Sequence, residues 1–198
     1  YTPVVSEIGT AVILTWTVAA IPPCLGASDQ MIVTITTNAA VSADAGVDKI
    51  TCGTAPVTLS AMGTGIWSGG AGLFSSKTNP TASYTPAATE IGNVVTLNWT
   101  VSGGSCQNGT DMMFVMVNTP TTANAGPDKS TCGTAPVTLA ATGVGIWSGG
   151  SGTFSSTGSP TATYTPSATE VGTTVTLTWT VAGIAPCTAK SDPMLVIV

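Results

Sequence analysis

The chain has no histidine and no arginine, and its four lysines stand against nine acids, a net charge of −5 over 198 residues. Nucleic-acid binding needs clustered cations to displace counterions, so that class is excluded. Without histidine, the usual serine or cysteine triads are absent as well. No Cys-x-x-Cys pair suggests zinc, and no Asp-x-Asp-x-Asp-Gly loop suggests calcium. The acids are scattered singly, whereas glycoside chemistry needs two carboxylates about 5–10 Å apart. Long apolar runs are missing too: none approaches the roughly 20 residues of a membrane helix. The mean hydropathy of +0.41 comes from Val, Ile and Leu alternating with Thr, a strand pattern. The sequence therefore predicts no enzyme, no cofactor, no metal and no membrane span.

What the chain does have is repetition. Thr51 to Leu59 recurs letter for letter as Thr131 to Leu139. Gly-Ile-Trp-Ser-Gly-Gly follows at Gly65 and Gly145, Tyr-Thr-Pro at Tyr84 and Tyr164, and Thr-Leu-x-Trp-Thr-Val at Thr96 and Thr176. Between Ala45 and Gly103 about seven positions in ten match their counterparts, which assigns one fold to both copies. Tyr1-Thr-Pro and Trp16 repeat the later half of the same unit. Residues 1–36 thus read as the C-terminal half of a truncated unit whose front half lies upstream. Residues 37–117 and 118–198 read as complete units of about 80 residues.

Within a unit, Val95, Leu97, Trp99 and Val101 alternate with Thr and Asn, as do Val175, Leu177, Trp179 and Val181. Val12, Leu14, Trp16 and Val18 form the equivalent strand of the partial unit. Ile66-Trp67-Ser68 and Leu73-Phe74-Ser75 flank glycines and suggest a hairpin. No 3.6-residue period is sustained. Seven or so short strands per unit predict an all-β fold: tandem immunoglobulin-like antiparallel β-sandwiches arranged end to end. The junctions are short and carry Pro120 rather than a Gly/Ser run, which predicts limited bending.

Each complete unit has one cysteine before its second strand and one after its central strand. Matched placement predicts a bridge inside each unit, Cys52–Cys106 and Cys132–Cys187, with free buried thiols as the alternative. Cys24 is then left with a partner outside the chain. Such bridges imply an oxidising compartment.

Trp16, Trp99 and Trp179 stand on apolar strand faces, which predicts core packing. Trp67 and Trp147 stand beside glycines; closing the sandwich end and stacking on a sugar ring are both open to them. Asp48 and Asp128 recur, as do Asp29, Asp111 and Asp192 before the last strand, and Glu7, Glu90 and Glu170 after Tyr-Thr-Pro. Turn formation and solubility are the roles expected of them.

Ala-Gly-x-Asp-Lys-x-Thr-Cys, Trp-Ser-Gly-Gly, Tyr-Thr-Pro and Thr-Leu-x-Trp-Thr-Val together resemble the PKD-like or Ig-like tandem repeats of large surface proteins of Bacteroidota, including adhesins. The Asp of the PKD Trp-x-Phe-Gly-Asp-Gly motif is missing from Ile66 to Gly70. The resemblance implies export and work outside the cell, secreted or on the surface. The expected function is a stalk or filament segment whose partners are other repeats of the same protein, with homotypic assembly. The alternative is an adhesin array that holds surface glycan or protein.

Overall fold

The computed structural model describes residues 1–36, 41–103 and 107–198. It is 43% strand and 5% helical. Sixteen strands are formed among the described residues. A hairpin comes first, β1 (Ala11–Val18) with β2 (Ala27–Thr34). Then follow β3 (Lys49–Cys52), β4 (Val57–Thr58), β5 (Ile66–Gly69), β6 (Leu73–Phe74), β7 (Ser83–Thr85), β8 (Val94–Val101) and β9 (Gly109–Asn118). The same series recurs as β10 (Lys129–Ser130), β11 (Val137–Thr138), β12 (Ile146–Gly149), β13 (Thr153–Phe154), β14 (Thr163–Thr165), β15 (Thr174–Val181) and β16 (Lys190–Ile197).

The first series makes a four-stranded sheet in the order β3-β9-β8-β5 and a three-stranded sheet in the order β4-β7-β6; β10 to β16 repeat both orders. With the seven strands lettered A to G in sequence, the sheets are A-G-F-C and B-E-D. This is the immunoglobulin arrangement with strand A moved beside strand G, to which it runs parallel.

The alternation seen in the sequence positions the core. In β8, Val95, Leu97 and Trp99 are buried, and opposite them in β9 lie Met113 and Val115. From the facing sheet come Val57 and Tyr84, and these residues share one hydrophobic cluster. A second cluster repeats it with Val137, Tyr164, Val175, Leu177, Trp179, Met194 and Val196.

Two expectations are corrected here. Residues 66–68 and 73–75 do not form a hairpin: β5 pairs with β8 and β6 with β7, so the glycine stretch between them crosses from one sheet to the other. Trp16 is not in a core but 77% exposed, because residues 1–36 contain no strand equivalent to β5 to cover it.

Candidate interface at a disulfide-locked joint

The parallel pairing of β3 with β9 decides where the cysteines lie. Cys52 stands opposite Asn118, at the far end of β9 from Gly109, the residue with which that strand begins. A ten-residue strand spans about 30 Å, and the Cα atoms of a disulfide lie within about 7 Å. Cys106 lies outside the described residues. In the second series Cys187 precedes β16, while Ser130, just before Cys132, pairs with Ile197 at the end of that strand. Cys132 and Cys187 thus lie at opposite poles of one sheet, and with Cys52 and Cys187 bonded to each other neither of the expected pairings, Cys52–Cys106 and Cys132–Cys187, is formed. The bond formed is Cys52–Cys187, 135 residues apart in sequence, with Cα atoms separated by 5.1 Å. Cys24 and Cys132 are free and exposed.

This bond closes a joint between the two cores. Cys187 sits in a turn in which its N–H donates to the Ile184 carbonyl over 2.8 Å. Its Sγ lies 3.4 Å from the Thr119 carbonyl, and the residue is buried. The Asn118 side-chain amide donates to the Ala185 carbonyl over 2.9 Å. Ile184 borders a shallow cavity of about 310 Å³ lined also by Val94, Met116 and Thr119. Pro120 lies over Gly53, whose φ of +57° favours glycine and where an added Cβ would stand 2.8 Å from Pro120 Cγ. Covalent bond, hydrogen bond and apolar contact all meet at the link between the cores.

Trp67 and Trp147 are 0% and 1% exposed, which corrects the sugar-stacking possibility. Their indole N–H groups donate to the Asn79 and Ser159 carbonyls over 3.1 Å. Trp67 packs on Trp99 with ring centroids 5.0 Å apart, and Trp147 on Trp179 at 5.1 Å. The neighbouring glycine makes room for this contact: a Cβ on Gly65 would stand 2.7 Å from the Trp99 ring.

The recurrent acids act as ties within the fold. Asp111 accepts from the Ala45 N–H and Asp192 from the Ala125 N–H; Asp48 and Asp128 accept from Phe114 and Leu195. Among the described residues, no group of three or more His, Cys, Asp or Glu lies together as a metal site would.

One contact escaped the sequence analysis. Tyr84 donates its hydroxyl to the buried Glu90 carboxylate over 2.7–2.8 Å, and Tyr164 does the same to Glu170 at 2.8 Å. The Ala71 and Ala87 N–H groups also donate to Glu90. Desolvation alone would raise the Glu90 and Glu170 carboxyls, but these donors outweigh it and hold both low, Glu170 at about 2. Burial and the adjacent carboxylate push the Tyr84 hydroxyl up to about 12. Tyr1 and Glu7 form the same pair at the exposed start of the chain, the Tyr1 hydroxyl again raised to about 12, first by its bond to Glu7. The signal was available: the tyrosine precedes the glutamate by six residues in all three copies.

No helix among the described residues is long and apolar enough to cross a membrane. No family model and no curated protein matches the chain. Among solved structures it is similar to human CDH23 EC21-23, at 11% identity and a TM-score of 0.45, covering 86% of this chain and 68% of that one. It is similar to protocadherin gammaB7 EC3-6 at 14% identity and a TM-score of 0.42, covering 95% of this chain and 60% of that one. For the insect immune protein hemolin the values are 11% and 0.44, with 95% of this chain and 55% of that one covered. These alignments are too loose to bear on function, and the fold assignment stands on the strand order.

Proposed function

We propose that the chain is a stalk or filament segment of an extracellular protein, built from immunoglobulin-like units set end to end. The units are residues 1–36, the C-terminal half of one, then residues 37–117 and residues 118–198. The observation that carries this is the Cys52–Cys187 bond, which spends the disulfide on the joint between cores rather than inside either core. A free-standing binding domain has no use for such a bond, whereas a load-bearing array does. The bond also favours an oxidising compartment, consistent with the export implied by the resemblance to Bacteroidota surface repeats. The reading includes no catalytic role.

A repeated groove favours a second reading, a multivalent adhesin. Thr64, Gly65, Ile66 and Thr100 line a cavity of about 550 Å³, and their counterparts Val144, Gly145, Ile146 and Thr180 line one of about 290 Å³. With Trp67 buried, the groove offers threonine and isoleucine to a ligand.

Small-angle scattering of the monomeric Cys24→Ser, Cys132→Ser chain tests the first reading. Two complete units in line should give a maximum dimension of at least about 70–80 Å, from strands rising about 3.3 Å per residue plus loops. A compact, folded-back particle would end the stalk reading, and micromolar binding on a glycan array would favour the second.

A further inference from the structure

The four-stranded sheet of each core has one face on the core and one face turned outward. The outward face of such a sheet ordinarily carries its polar and charged residues. Here the charged residues of these strands all take the inward register: Lys49 pairs with Val115, Asp111 with Trp99, Lys129 with Val196, Lys190 with Val181 and Asp192 with Trp179. Those partners are buried in the two cores or packed against them. The outward face of the first core is left with Met112, Phe114 and Met116 on β9, Ile50 beside them on β3 and Val94 on β8. Phe114 is 43% exposed and Met112 57%. Thr96, Asn98 and Thr100 complete β8 on that side. The second core repeats the register with Pro193, Leu195 and Ile197 on β16, again without a charge. Asp48 borders the face at the sheet edge, where it accepts from the Phe114 N–H over 2.8 Å.

One end of this face is already covered. Cys52 and Asn118 pair on its outward register, next to the row of Ile50, Met116 and Val94. The turn Ile184 to Cys187 of the second core is held there by the disulfide, by the Asn118–Ala185 hydrogen bond and at the cavity that Ile184 shares with Val94 and Met116. Where the structure shows what this face accepts, it is a piece of another repeat. The rest of the face, around Phe114 and Met112, continues from that contact away from the joint. Strands about 4.8 Å apart that rise about 3.3 Å per residue give it roughly 400 Å² on the first core. Two such faces together bury about 800 Å², the size of a weak contact. In an array the contact recurs from unit to unit and gains by avidity.

We propose that the outward face of the first core packs on the same face of a second copy, sheet against sheet about a two-fold axis, so that chains lie side by side. A second copy is the occupant for three reasons. The covered end of the face holds a segment of this same fold. A like face matches it in dimensions and in its lack of charge. The net charge of −5 makes copies repel wherever their carboxylates meet, whereas Met112 and Phe114 meet their like with no charge brought into contact. The inference rests on the stalk reading and deepens it by giving the stalk a neighbour along its flank.

The test is sedimentation equilibrium of the full chain carrying Cys24→Ser, Cys106→Ser and Cys132→Ser, so that no free thiol links copies, from about 10 μM to about 1 mM. A monomer–dimer equilibrium is expected in that range, tightening as sodium chloride screens the net charge. Met112→Glu and Met112→Lys should each weaken it at least about tenfold, and their equal mixture should restore it as a dimer of one of each. Phe114→Thr, which adds no charge, should weaken it about tenfold as well. Both side chains point outward, so the comparison is made between variants that melt with the parent. A parent still monomeric at about 1 mM, variants that associate as the parent does, or a mixture no tighter than its components would overturn the proposal. So would a monomeric parent that sediments with neutral phosphatidylcholine vesicles, which would give the face to lipid. Scattering of the dilute chain reads the stalk separately. An extended monomer that never associates removes the flank contact alone, and a compact monomer removes the stalk reading whether or not it dimerises.

Discussion

At the scale of single residues, the Tyr–Glu pairs make the fold sensitive to acid. Glu170 is held at about 2 in the folded chain against an ordinary value of 4.5. A carboxyl lowered by folding contributes stability that is complete above its unfolded value and is lost as pH falls towards the folded one. The melting temperature should therefore fall between about pH 4.5 and pH 2. Glu170→Gln should lower it at pH 7 and flatten that dependence, which calorimetry across the range would show; an unchanged slope would contradict the assignment. Tyr164→Phe should cost about 1–3 kcal/mol, because the Gly152 N–H loses its acceptor. The roles of these residues were only half legible. The sequence displayed the acids as recurrent, but glutamate after a Tyr-Thr-Pro turn looks the same solvated or buried. The glycines beside Trp67 misled for a related reason: a missing side chain signals close approach without saying what approaches.

At the scale of elements, β8 and β15 were legible because one face of each is buried and the other is not, so the period of two is written in the residues. The β5–β6 segment was not. Both strands are short and aromatic, and a glycine stretch suits a hairpin turn or a crossing between sheets equally well. Only the distant partners, Trp99 for Trp67 and Tyr84 for Phe74, decide between them. The same contrast separates Trp99 from Trp16, which occupy equivalent places with opposite surroundings. Trp99→Ala should cost about 3–5 kcal/mol, since it empties the centre of the first core. Trp16→Ala should stay within about 0.5 kcal/mol in this chain, because the ring has little to lose. Urea titrations of the two variants would show whether that asymmetry holds.

At the scale of the whole molecule, cysteine pairing was the feature that spacing could not resolve. In a periodic sequence, a bond within each unit and a bond from each unit to the next use the same two kinds of position. Translating one partner by a full period leaves the pattern of residues unchanged, and only the parallel register of β10 on β16 places Cys132 and Cys187 at opposite poles. A bond inside each core would stabilise the cores separately, whereas the bond observed ties the start of one series to the end of the next. It closes a 135-residue separation, for which the chain-entropy model gives about 4–5 kcal/mol. Because that loop takes in most of both cores, the stabilisation is shared, and opening either core loosens the other. With Cys52→Ser and Cys187→Ser together, the two cores should unfold in separate calorimetric transitions, both below that of the linked chain. The asparagine and proline contacts at the joint remain in this variant, so the native-state scattering profile should broaden without collapsing. A single transition at the original temperature would mean that the cores are coupled by packing alone and that the disulfide adds nothing to the joint.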